Sequence, residues 1–153
     1  KITFLGTGTS GGVPMIACDC HVCHSHDAKD QRYRSSILIE SDTTTLVIDT
    51  TPDFRSQMLQ ANVKKLDAVV FTHPHKDHIA GLDDVRAYNF INNWRAQVYC
   101  TEQVADALKR EFAYAFSDNK YPGVPEIDLN IICREIIFSL MLKHCYLPVL
   151  FLV

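Results

Sequence analysis

Short apolar runs alternate with longer amphipathic ones along the chain. Residues 2–6, "ITFLG", form a strand pattern that runs into the glycine-rich stretch "GTGTSGGVP". "SSILIES" and "TTTLVIDT" are β-branched runs joined at Asp42, which predicts a hairpin. "PDFRSQMLQAN" opens on proline, as a helix start allows, and "LDAVVFT" reads as a further strand. "IAGLDDVRAYNFINN" has a loose helical spacing, and "AQVYC" is again a short strand. "TEQVADALKREFAYAF" places Val104, Leu108, Phe112 and Ala115 on one helical face. After the polar loop "SDNKYPGVPE", the runs "IDLNII" and "IIFSLML" predict strands. Strands alternating with helices argue for α/β layers in one domain over residues 1–153, with no internal repeat.

Composition narrows the classes of function. A chain of 153 residues can bury an ordinary core without disulfides. Its formal net charge of -3 gives no basic excess, which disfavours a dedicated nucleic-acid partner. No charged-then-apolar leader opens the chain, so the cytoplasm is the default compartment. The most apolar stretch, "IIFSLMLKHCYLPVLFLV", is interrupted by Lys143, His144 and Pro148 well short of ~20 clean apolar residues, so it reads as buried strands rather than a membrane span.

The chemistry is concentrated in "FTHPHKDHIAGLDD", residues 71–84, directly after an apolar strand pattern. Neutral imidazole and carboxylate are the ligands that zinc, manganese and iron accept in hydrolytic sites. In an extended segment, residues two apart point the same way, so His73 and His75 can grip one ion just beyond the strand end. Asp77 and His78 fall where the chain turns into a helix and can face the same space from another side, which suits a second ion. Two ions about 3.5–4 Å apart are how many phosphoesterases bind both attacking and leaving oxygens. The helix that follows directs its start, near residues 79–81, toward this site, which makes Arg86, Tyr88 and Asn89 candidate substrate contacts.

A second cluster sits in "CDCHVC", which holds three of the six cysteines. In a reducing compartment such crowding favours metal over disulfides, and Cys18, Cys20 and Cys23 have a spacing that a tetrahedral zinc can use. His21, His24 and His26 are local candidates for a fourth ligand. Cys100, Cys133 and Cys145 read as lone buried thiols. As a phosphate cradle "GTGTSGG" is weak, because no Gly-Lys-Ser/Thr follows, and it is more simply a tight turn.

"THPHKDHIAGLDDVR" resembles the metal-binding signature of the metallo-β-lactamase superfamily, and "GTGTSGGVP" with "CDCHVC" is similar to its phosphoribosyl 1,2-cyclic phosphate phosphodiesterase branch. The resemblance runs from residue 2 to about 150. It implies an α/β fold, the four-layer αββα sandwich, with His73 and His75 on one metal and Asp77 and His78 on the second. Asp77 would also be catalytic, orienting the attacking water, and His144 is the matching candidate for a third ligand to the first metal. A lone histidine in an apolar strand is the other reading of His144. The resemblance further implies structural zinc at Cys18, Cys20 and Cys23.

The family pattern continues with a bridging aspartate and a last histidine that these 153 residues do not contain. The expectation is therefore the first half of the sandwich plus the start of the second, truncated at the C-terminus. The family usually has Asp-x-Gly-Pro after the hairpin, where this chain has Asp49, Thr50, Thr51 and Pro52. Asp49 either orients a histidine ligand from behind or caps the strand end.

The function these readings imply is a phosphodiesterase in which a metal-bound hydroxide attacks a (cyclic) phosphate ester of a ribose or nucleotide. Its cofactors would be two divalent ions, Zn2+ or Mn2+, and its partner a small phosphate-ester substrate. A homodimer stays open. The alternatives are a catalytically incomplete zinc-binding or interaction module and a transfer-RNA 3′-processing nuclease. A zinc deaminase is discounted, since its His-x-Glu and Pro-Cys-x-x-Cys pairing is missing.

Overall fold

The computed structural model describes residues 1–132. Among these residues, six strands form one mixed sheet in chain order: β1 (Ile2–Gly6), β2 (Ser36–Glu40), β3 (Thr45–Ile48), β4 (Ala68–Val70), β5 (Ala96–Cys100) and β6 (Ile127–Ile131). The first three strands run antiparallel, and β3 through β6 run parallel. The β2–β3 connection is tight because the Ser41 amide donates to the Thr44 carbonyl and the Ser41 hydroxyl accepts from the Thr44 amide. Parallel neighbours need crossovers. These are α1 (Phe54–Gln60), then α2 (Lys76–Ile79) with α3 (Arg86–Asn92), then α4 (Glu102–Glu111) with α5 (Ala113–Phe116).

Register explains the core. Leu38 lies opposite Val47, Val47 opposite Val69, and Val69 opposite Val98, so the two-residue alternation lines one face of the sheet with four buried aliphatic side chains. Phe54 and Met58 of α1, Tyr88 of α3, and Val104 and Leu108 of α4 pack in the same cluster. The face read from the sequence for Val104, Leu108, Phe112 and Ala115 is buried throughout.

The other face of the sheet has two characters. Ile2, Ile39 and Leu46 form one cross-strand row, and Phe4, Ile37, Ile48 and Val70 form the next. Among the described residues, Ile2 stays 57% and Phe4 68% exposed. Over β5 and β6 the same face turns polar: Gln97 donates to Asp128 at 2.9 Å, Arg95 donates to Asp128 at 2.9 Å, and Asn130 donates to Gln97 at 3.3 Å.

Two expected helices differ in detail. Pro52 precedes α1 rather than opening it, and Asp53 at the N-cap position binds Arg34 through both carboxylate oxygens instead of capping the helix. The helical pattern expected from residue 79 to 93 is instead the last residue of α2, a 3-10 turn at Leu82–Val85, and α3. The break falls at Gly81, whose amide donates to the Thr50 carbonyl at 2.8 Å. A Cβ there would lie 2.2 Å from the Thr51 carbonyl oxygen, so only glycine lets this turn seat against the end of β3. The strand expected at "IIFSLML" lies outside the described residues, within which no helix is long and apolar enough to cross a membrane.

Candidate metal centre

The site forms where two parallel strands end side by side. Ile48 pairs with Val70, so the residues after β3 lie beside those after β4. Asp49 follows directly, with φ of 64° and its amide donating to the Val70 carbonyl at 2.9 Å. The left-handed region is one that aspartate tolerates better than most residues, and here it turns the carboxylate toward the loop after β4. The Ser36 hydroxyl holds this bend by donating to the Asp49 carbonyl at 2.9 Å.

That carboxylate, 4% exposed, is saturated by the loop. Its Oδ1 accepts from the Thr72 amide at 2.9 Å, and its Oδ2 accepts from the Thr72 hydroxyl at 2.7 Å and pairs with His78 Nδ1 at 2.8 Å. The Thr72 hydroxyl also lies 2.9 Å from His73 Nδ1. One turn on, His78 Nε2 is 3.2 Å from Asp77 Oδ2.

His73, Asp77 and His78 each offer a ligand atom, all within 4.8 Å of one another. The rings of His73 and His78 are 3.8 Å apart between centroids. Partial burial, helped by neighbouring His78 and His75, holds the His73 imidazole below its ordinary pKa, against the pull of the Asp49 and Asp77 carboxylates. Such an environment favours the neutral ring, the form that ligates metal. His75 stands at the N-cap position of α2 with its ring edge-on to His73, 4.8 Å between centroids, and is not part of the convergent trio. His144 lies outside the described residues.

The cysteines form the second group: the sulfurs of Cys18, Cys20 and Cys23 lie within 4.8 Å of one another. The Cys20 thiol is lowered to about 7 by the Cys23 backbone and by hydrogen bonds from Cys18 and Cys23, while the Met15 amide donates to Cys23 Sγ at 3.4 Å. None of His21, His24 and His26 joins this group, and the His24 ring sits 3.4 Å from Asp19 instead. The glycine stretch before it is a turn, closed by the Gly12 amide donating to Thr9.

Two of the three expected substrate contacts, Tyr88 and Asn89, are buried among structural partners. Tyr88 is buried and donates to the Val63 carbonyl, and Asn89 is buried with its amide spent on the carbonyls of Trp94 and Glu126. Arg86 pairs with Asp83 at 3.0 Å. The helix start expected near residues 79–81 is also displaced, because α2 already begins at Lys76. Thr50 and Thr51, where glycine was expected nearby, are fully buried, and the Thr51 hydroxyl donates to Gln57. Thr72 was missed, although a hydroxyl immediately before the first histidine was the available signal.

Residues 44–135 match the family model described as a beta-lactamase superfamily domain. The chain belongs to that superfamily. Among solved structures, a new diphosphatase from the PhnP family shares 42% identity with this chain at a TM-score of 0.76, over 86% of this chain and 50% of that one. Zn2+-bound PqqB from Methylobacterium extorquens shares 25% identity at a TM-score of 0.65, over 86% and 46%. An octanoyltransferase from Porphyromonas gingivalis is 40% identical over 161 residues, which are 98% of this chain and 32% of that protein. The chain thus spans about a third of the curated relative it matches and half or slightly less of the two structures. The expected α/β architecture of the metallo-β-lactamase fold is therefore the one this superfamily member adopts.

Proposed function

We propose that the whole protein is a metal-dependent hydrolase of small phosphate esters, a phosphodiesterase acting on a ribose or nucleotide phosphate. The observation that carries this reading is the convergence of His73, Asp77 and His78 over the buried carboxylate of Asp49. Two imidazoles and a carboxylate fit a divalent ion such as zinc or manganese. When bound, such ions supply Lewis acidity toward water and toward a phosphoryl oxygen. His73 and His78 would hold the ions through Nε2, with His75 adding an imidazole at the rim. Asp77 would accept a proton from the attacking water, a role open to a carboxylate beside the two imidazoles.

The choice of phosphate ester rests on the 42% likeness to the diphosphatase. The octanoyltransferase name describes a protein about three times as long as the stretch that matches, so it supports acyl transfer by that whole protein rather than by this part.

Protein loaded with zinc or manganese is expected to hold two ions at the histidine cluster and to turn over a chromogenic phosphodiester. One ion held by the cysteines alone, with no turnover, would instead support a zinc-binding interaction module. Serine replacing Cys18, Cys20 and Cys23 together is expected to remove one zinc per chain by elemental analysis and to lower the unfolding temperature. Unchanged zinc content would sink the structural-zinc assignment.

A further inference from the structure

We propose that Thr72 is a positioning residue, through which the single carboxylate of Asp49 fixes the ring orientation of both His73 and His78. This rests on reading the histidine cluster as the metal centre. The ring orientations follow from a count of protons. An ionised carboxylate can only accept hydrogen bonds, so both groups on Asp49 Oδ2 must donate to it. At 2.7 Å, the Thr72 hydroxyl spends its one proton there, and at 2.8 Å His78 Nδ1 must carry its proton.

With its proton committed, the Thr72 oxygen is left only as an acceptor toward His73 Nδ1 at 2.9 Å, so that nitrogen is protonated too. A neutral imidazole carries one N–H. In the neutral rings Nε2 is therefore bare; at His78 it lies 3.2 Å from Asp77 Oδ2 without forming a hydrogen bond, so nitrogen and carboxylate oxygen face one space as a pair of ligand atoms. The Thr72 amide, donating to Asp49 Oδ1 at 2.9 Å, makes the pair two-pronged and keeps the hydroxyl from rotating away. His78 is set directly and His73 at one remove. The two rings lie 3.8 Å apart between centroids, so a shift in either would disturb the other.

The test reads tautomers in the full metal-free chain, using long-range nitrogen–proton correlations of the histidine rings at about pH 8, where imidazole is neutral. Wild type is expected to show the Nδ1–H form at both His73 and His78. Thr72→Val keeps the shape and removes the hydroxyl; it should move His73 to the Nε2–H form while His78 stays. Zinc affinity at the cluster, followed by chelator competition on the His73 and His78 resonances, should fall about tenfold. Thr72→Ser retains the hydroxyl and should match wild type in both readouts. The proposal is overturned if His73 keeps Nδ1–H in Thr72→Val, or if Thr72→Ser loses as much as Thr72→Val, which would mark a packing role. If the tautomers shift as expected but wild type holds no zinc at the histidines, the relay stands and the metal reading fails.

Discussion

Replacing Asp49 by alanine is expected to weaken divalent-metal binding at the histidine cluster by about 100-fold, the upper end of what a carboxylate behind ligating histidines contributes. The size of the effect follows from how much converges on one side chain. Asp49 accepts from the Thr72 amide, the Thr72 hydroxyl and His78 Nδ1, in a pocket where it is 4% exposed. Alanine leaves all three donors without their acceptor, at a cost of about 3 kcal/mol in folding stability. Chelator competition reads the first quantity and denaturant unfolding the second. Asp49→Asn keeps an acceptor but loses the charge, and should fall between wild type and alanine in both. Metal affinity unchanged in Asp49→Ala would mean that the histidines are oriented by something else.

Valine at Gly81 is expected to destabilise the protein by about 3 kcal/mol or more through overpacking. The backbone there has φ of -87°, which any residue adopts, so the loss is steric. A Cβ would lie 2.2 Å from the Thr51 carbonyl oxygen and 2.6 Å from Phe54 Cβ. Relief requires the end of β3 to move, and Asp49 stands two residues before Thr51. Metal affinity should therefore fall along with stability. Gly123→Ala is the control, with φ of +102° and nothing within 4 Å of an added Cβ. It should cost only the backbone term, about 1–2 kcal/mol, and leave metal affinity alone. Equal losses in the two variants would refute the steric account.

Strands were legible from the sequence because burial on one face imposes a two-residue alternation that β-branched residues satisfy. Leu38, Val47, Val69 and Val98 sit where that alternation puts them. The long helical pattern after residue 79 is interrupted at Gly81 by a contact with a distant strand end, which periodicity does not encode. Periodicity places Tyr88 and Asn89 on a helix face but not against a partner. Their partners, Val63 and Glu126, lie 25 and 37 residues away.

The metal-ligating chemistry was legible as residue types, yet the trio that converges depends on rotamers that spacing does not set. His75 is the instance: two residues from His73, its ring stands at 78° to that of His73 and outside the group of converging ligand atoms. The contacts of Asp49 with Thr72 and His78 are likewise tertiary, made across 23 and 29 residues that spacing alone does not bring together.

The placement of the site within one β-α-β unit bears on the order of assembly. Its defining contacts close loops of only 23 residues, from Asp49 to Thr72, and 29 residues, from Asp49 to His78. Short closures form early and cost little entropy. During synthesis, β3, α1, β4 and α2 are complete before β5 and β6 have left the ribosome, so the donor set can form on a nascent chain.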